Sequence, residues 1–221
     1  MLESIFKAIP FFAERGKQTE IIFATEFSPP IKTHTVRVLA NNNIKYINVP
    51  CSSGASGMLK CSLCSMADKN PESVFKPRKI YVATVYTKLS TPFEDSNKVI
   101  HTYGRRLFVV SYKLKKASVD PYINKYGTIK GAKFLIERGE ESKNYNGDLY
   151  KFSGFVNDIS TAIGEPIREF DVDAMFTPLT KNELDELMML INMASNHANA
   201  NKNVKSSEPD TQPTDDYEMP F

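Results

Sequence analysis

The chain has 221 residues, 41% of them hydrophobic, and a formal net charge of +2. That length suits one domain of ordinary core size with appendages. It contains no apolar run of about 18 residues to span a membrane, and its N-terminus lacks the basic and apolar blocks of a secretion signal. Three cysteines, an odd number, speak against a disulfide framework and for a reducing compartment. The charge is uneven. Residues 206–221 hold Glu208, Asp210, Asp215, Asp216 and Glu218 with no Lys or Arg. The other 205 residues therefore carry all 28 basic side chains against 21 acidic ones, a balance of +7. A basic body with an acidic tail implies a polyanionic partner and a tail able to compete with it.

Taken in order, Leu2, Ile5, Phe6, Ile9, Phe12 and Ala13 recur at helical spacing. Pro10 interrupts them, which predicts a short helix to about residue 9 and then a turn. Residues 20–27 read as a strand, closed by Pro29 and Pro30. Residues 35–39 and 44–49 alternate with period two around Asn41, Asn42 and Asn43, the pattern of a hairpin. Residues 65–78 are polar and turn-rich. Residues 79–87 form the clearest strand, with Tyr81 and Tyr86 on opposite faces, and residues 98–103 form another that ends at Gly104. Over 105–118, Arg105, Arg106, Lys113, Lys115 and Lys116 surround a valine-rich centre, and the reading leans to helix. Residues 131–137 and 149–155 make a hairpin across a polar loop containing Asn144, Tyr145, Asn146 and Gly147. Thr180-Lys-Asn-Glu183 is a capping box. It opens a helix to about Asn196, with Leu184, Leu187, Met188 and Ile191 on its apolar face. From residue 198 the composition predicts disorder. The expected division is an arm (1–19), a β-rich core (20–179) with a cysteine-bearing subdomain around 46–78, a helix (180–197) and an acidic tail (198–221).

All three cysteines lie in one stretch, Cys51, Cys61 and Cys64. A Cys-x-x-Cys turn points two thiolates at one ion, and Cys51 supplies a third. Structural zinc takes a fourth ligand, commonly His, so one structural zinc ion is expected.

Several short strands bearing basic and aromatic residues suggest a small mainly β barrel of the α+β class. An OB-type barrel binds single strands through a cationic groove and aromatic platforms. A strand tyrosine beside Lys or Arg can stack a base while the cation meets phosphate. The strand candidates are Arg37, Lys45, Tyr46, Tyr81, Tyr86 and Tyr103. No carboxylate cluster suited to two metals and no Cys/His nucleophile pair occurs, so catalysis is not expected.

Residues 35–155 resemble the single-stranded DNA-binding, helix-destabilising protein of T-even bacteriophages. The resemblance rests on Thr35-Val-Arg-Val-Leu39, Lys45-Tyr-Ile before Cys51-Ser-Ser, and the spacing to Cys61-x-x-Cys64. It continues through Arg78-Lys-Ile-Tyr81-x-Ala83, Lys98-Val, Gly104-Arg-Arg-Leu-Phe108, Gly131-Ala-Lys-Phe-Leu135 and Asn144-Tyr145. It implies an OB-fold barrel with an inserted zinc subdomain and a groove for single-stranded DNA. Tyr46, Arg78, Lys79, Tyr81 and Tyr145 would line that groove, and Arg105 and Arg106 match a basic pair there. It also implies a role in phage DNA replication, recombination and repair in the cytoplasm of an infected bacterium. In the family the zinc histidine lies between the first strand and the first cysteine. Here that segment is shorter, and His34 is the only histidine before Cys51. His34 is the chosen fourth ligand, with His101 and Asp68 as alternatives. The family's basic N-terminal motif for cooperative binding is missing from residues 1–6, which leaves self-association on DNA open.

The terminal residues, Asp215-Asp216-Tyr-Glu218-Met-Pro220-Phe221, resemble the last peptide of bacterial single-stranded DNA-binding proteins. The resemblance implies a docking peptide for replication and recombination proteins. A terminal Phe can fill a pocket while its carboxylate meets a basic residue. The other reading of the same features is a zinc-containing RNA-binding or regulatory protein, since the same clefts would accept RNA.

Overall fold

A computed structural model describes residues 11, 13, 16–40, 43–53, 61–69, 76–138 and 149–205. In chain order the elements are β1 (Gln18–Phe23), β2 (Ile31–Ala40), β3 (Asn43–Pro50), α1 (Ser62–Lys69), β4 (Arg78–Glu94) and β5 (Ile100–Ser111). They continue with α2 (Tyr112–Ser118), α3 (Asp120–Tyr126), β6 (Ala132–Glu137), β7 (Leu149–Phe155), α4 (Ile159–Ile163), α5 (Val172–Met175) and α6 (Lys181–Lys205). The described chain divides into two compact units. One comprises Ile31–Lys79 and the residues from Asp173 onward; the other comprises the residues up to Pro30 and Ile80–Val172.

The first unit is built on the β2–β3 hairpin, paired from Thr33 opposite Pro50 to Ala40 opposite Asn43. Alternation sends His34, Val36 and Val38 to one face, where all three are fully buried. Leu184, Leu187 and Ile191 of α6 join that core, as the period of 3.6 predicts, together with Leu63 of α1. Helix α1 falls in a stretch expected to be turns. Leu63 and Ala67, one helical turn apart, are its buried residues, and that spacing outweighs the polar composition around it.

The second unit is an antiparallel sheet in the order β5-β4-β1-β6-β7. No ladder joins β5 to β7 among the described residues, so the sheet is open rather than the expected closed barrel. Its main core gathers Ile21 and Phe23 of β1, Ala83 and Val85 of β4, Phe108 and Val110 of β5, and Phe134 and Ile136 of β6. Phe11 is buried against it and donates its backbone N–H to Leu107 O at 2.9 Å. The expected N-terminal helix lies outside the described residues.

Several boundaries differ from expectation; β4, expected over residues 79–87, runs from Arg78 to Glu94. The strand expected to end at Gly104 continues to Ser111, so the lean to helix over 105–118 is wrong for its first half. Phe108 and Val110 face the main core on either side of half-buried Val109, and Leu107 is buried on the opposite face, the period of two of a strand that valine and phenylalanine favour. The helix begins only where Ser111 Oγ accepts from Leu114 N. At the other end α6 runs to Lys205, past the expected 197. Ala198, Ala200, Lys202 and Lys205 are adequate helix formers there. No helix among the described residues is long and apolar enough to cross a membrane.

The capping box of α6 is formed. Glu183 N donates to Thr180 Oγ1 (3.4 Å), and Thr180 N donates to Glu183 Oε2 (2.8 Å). The bond from the Thr180 backbone holds the Glu183 carboxyl below its usual 4.5. A lowered carboxylate pKa adds stability that is complete above the ordinary value and fades as pH falls through the folded one. Thr180→Ala keeps that backbone bond but loses the Oγ1 that accepts from Glu183 N and donates to Glu183 Oε2 (2.7 Å), and should cost about 1 kcal/mol at neutral pH, read as a drop of about 2–4 °C in Tm. The deficit should shrink as acid protonates Glu183. Thermal melts of both proteins from pH 7 to pH 3 check this.

Candidate functional site

Four side chains of the first unit converge. His34 comes from the buried face of β2. Cys51 follows β3 and donates its backbone N–H to Lys32 O at 2.8 Å, which extends the hairpin pairing by one step. Cys61 immediately precedes α1, and Cys64 lies in its first turn. A helical first turn brings residues three apart onto one side, so the Cys-x-x-Cys spacing directs both sulfurs the same way. His34 Nε2 stands 3.5 Å from Cys61 Sγ and 3.5 Å from Cys64 Sγ, and Cys51 Sγ is 3.6 Å from Cys64 Sγ. All four ligand atoms lie within 4.8 Å of one another. His34 is fully buried, Cys61 is buried, and Cys51 and Cys64 are half-buried. The cysteines are free thiols and form no disulfide.

The surroundings treat the three sulfurs unequally. Burial pushes the Cys61 thiol up, but hydrogen bonds with His34 and Ser52 outweigh it and bring the group down to about 5. Burial also opposes ionisation of Cys51, and bonds with the side chain and backbone of Ser53 reverse that. Cys64 stays above the usual thiol range, through burial and the nearby Cys51 and Cys61 sulfurs, despite a bond with Ser53. Crowded thiolates repel one another, and a bound cation relieves this by holding each one deprotonated. The four groups could hold a metal ion.

Ser53 carries no signal of its own in the sequence, although it stands in Cys51-Ser-Ser. Its hydroxyl is 3.4 Å from Cys64 Sγ and accepts from Cys61 N at 3.2 Å. Partners of this kind orient the ligands of metal sites. The two alternative fourth ligands are elsewhere engaged or exposed. His101 is held by Asp95 (3.2 Å) and Glu165 (3.0 Å) and stacks on Phe93. Asp68 is exposed near the end of α1. Neither belongs to the cluster.

The expected nucleic-acid residues are divided between the units. In the first, Arg37 and Tyr46 are cross-strand partners on the hairpin face opposite His34 and Val36. Tyr46 and Lys45 are exposed and Arg37 is half-buried; Arg78 and Lys79 are exposed at the start of β4. In the second, Tyr81 is half-buried with Lys115 Nζ 5.1 Å from its ring centre. Tyr86 is a correction. It is fully buried, accepts from Arg168 N at 2.8 Å and donates to Arg168 O, and so is a core residue rather than a stacking surface. Tyr103 is half-buried and donates to Glu20 Oε1, with burial and that carboxylate raising its phenol. Arg105 and Arg106 do not act as a pair. Arg105 is opposite Tyr86 and Arg106 opposite Val85, so they point to opposite faces of β5. The Arg105 guanidinium lies 4.4 Å from the Phe170 ring centre, while Arg106 lines a groove of 510 Å³ with Lys17, Gln18 and Lys88. Tyr145 and the tail residues Asp215, Asp216, Glu218, Pro220 and Phe221 lie outside the described residues.

No protein-family model matches this chain, and no curated protein matches it in sequence.

Protein purified without chelator should carry one metal ion per chain by elemental analysis. Cys61→Ser and His34→Ala should each lose most of it, since each removes one ligand of four. His101→Ala should keep the full complement. Metal retained at wild-type level in both ligand variants would refute the site.

Proposed function

We propose that this chain is a single-stranded DNA-binding protein with one structural zinc, of the kind that coats DNA during phage replication, recombination and repair. The observation that carries the reading is the strand order β5-β4-β1-β6-β7 with α2 and α3 between β5 and β6. That order is compatible with an OB barrel that lacks its closing pair, which supports the reading. OB folds bind oligonucleotides on their second and third strands and on the loops after the first and fourth. In this chain those parts correspond to β4, β5, the β1–β4 connection and the β6–β7 connection. Tyr81 and Arg106 lie on the two strands, Tyr46 and the cysteine cluster in the first connection, and Tyr145 in the second.

Zinc is the metal the spacing supports. With bonds of about 2.3 Å to sulfur and about 2.0–2.1 Å to nitrogen, a tetrahedral site has S···S edges near 3.8 Å and S···N edges near 3.6 Å. The observed 3.6 and 3.5 Å are close to both. Three sulfurs and one imidazole leave no open position, so the ion's role is structural.

The test is affinity for single- and double-stranded oligonucleotides of one sequence, in DNA and RNA, across a salt series. Single-stranded DNA should bind more tightly than duplex. The logarithm of its binding constant should fall with log salt at about 0.7 per phosphate neutralised. Tyr81→Ala should cost about 1–3 kcal/mol if its ring stacks a base. Preference for duplex sinks the proposal, and preference for RNA favours the RNA-binding reading.

The acidic tail is read as a competitor and a docking peptide. A tethered anionic segment acts at high local concentration on a basic body. Deleting residues 206–221 should therefore raise DNA affinity, most at low salt where screening is weakest. Removing Phe221 alone should leave DNA affinity unchanged and abolish capture of replication proteins. Both variants behaving as the full chain would leave the tail without either use.

A further inference from the structure

Helix α2 carries residues that the proposed site does not yet use. Its first residue, Tyr112, is 54% exposed. The Tyr112 ring lies 6.4 Å from that of Tyr81, tilted by 34°. Lys113 and Lys116 are exposed on the same short helix, which contains no acidic residue. Neither lysine makes an ion pair among the described residues.

Lys115 differs from its neighbours. Its ammonium is paired with Asp120 and lies 5.1 Å from the Tyr81 ring centre and 5.3 Å from that of Phe27. It is committed to the protein and holds the Tyr81 ring in place. Tyr112 leaves more than half of its surface to solvent. Set beside a second, braced ring and two unpaired ammonium groups, it has the composition of a stacking platform.

We infer that Tyr81 and Tyr112 together form a two-ring platform for adjacent bases of a single DNA strand, with Lys113 and Lys116 meeting the flanking phosphates. The inference rests on the single-strand reading above and adds α2 to the binding surface. The tilt between the rings gives two separate faces, suited to successive bases rather than one. The interactions are with ring faces and phosphates, so the platform carries no sequence preference.

The experiment titrates a fluorescently labelled oligothymidylate with the full chain, Tyr112→Ala, Tyr112→Phe and the double variant Lys113→Ala/Lys116→Ala, at several salt concentrations. Tyr112→Ala should weaken binding roughly 5- to 150-fold, the range for loss of one stacked base. Tyr112→Phe keeps the ring and should stay within about twofold. The lysine variant should flatten the salt slope by about 1.4, or about 0.7 for each phosphate no longer neutralised. All the substituted side chains are exposed, and the lysine variant tests the surface without touching either ring. If the wild-type chain and Tyr81→Ala behave as proposed but Tyr112→Ala and the lysine variant bind like wild type, α2 is not part of the surface and the single-strand reading stands. If the wild-type chain does not bind the oligonucleotide, that reading fails and this inference with it.

Discussion

The convergence of His34, Cys51, Cys61 and Cys64 is the constraint on which the first unit depends. A two-stranded hairpin is marginal in water by itself. An eight-residue helix such as α1 is too short to hold its own shape. The four ligands join these weak elements: one from β2, one just past β3 and two from the start of α1. His34 also sits fully buried among valines, where an imidazole without a partner would be costly. The sulfurs supply that partner, and a bound cation would turn three mutually repelling thiolates into one cross-link. Metal affinity in such a unit is folding free energy, so an ion held there would stabilise the hairpin that carries Arg37 and Tyr46.

In the second unit the controlling rule is alternation along β4 and β5. It sends Tyr86 and Arg105 to one face and Val85 and Arg106 to the other. Adjacent residues in sequence thus have unrelated surroundings. Arg105 is stacked on Phe170, while Arg106 borders an open polar groove with Lys17 and Lys88. Tyr81 and Tyr86, five residues apart, are separated in the same way. One ring is partly buried against the main core with Lys115 over it; the other is fully buried with its hydroxyl satisfied by the Arg168 backbone. Type alone does not decide which aromatic residues can meet a ligand.

Much of this was legible in the sequence because it depends on local pattern. The β2–β3 and β6–β7 hairpins, the opposite facing of Tyr81 and Tyr86, and the Thr180 capping box all follow from period, turn chemistry or a four-residue motif. The cysteine cluster was legible from spacing, and His34 from its being the only histidine upstream. The extension of β5 through Leu107–Val110 was not. Five basic residues around a valine-rich run fit either period, and only the pairing of that run with β4 favours strand. Helix α1 was hidden for a related reason. Its polar residues look like a loop, and what holds it is burial of Leu63 and Ala67, which composition does not reveal. Ser53 and Tyr112 were not singled out because their contacts are spatial: one reaches a sulfur 11 positions away, the other a ring 31 positions away on β4.

The arrangement of cations around the rings separates support from recognition. Lys115, Lys130, Lys133 and Lys151 each have a carboxylate within 4.0 Å. A cation already neutralised adds little to the attraction of a polyanion, because binding must first break the existing pair. Lys113 and Lys116 carry no such pairing among the described residues and lie on the same helix as the 54% exposed Tyr112. The formal balance of +7 over residues 1–205 is thus an upper measure of what a strand can feel. The effective charge is concentrated where cations lack acidic neighbours, and on the proposed reading those places, rather than total charge, determine the path of the strand across the protein.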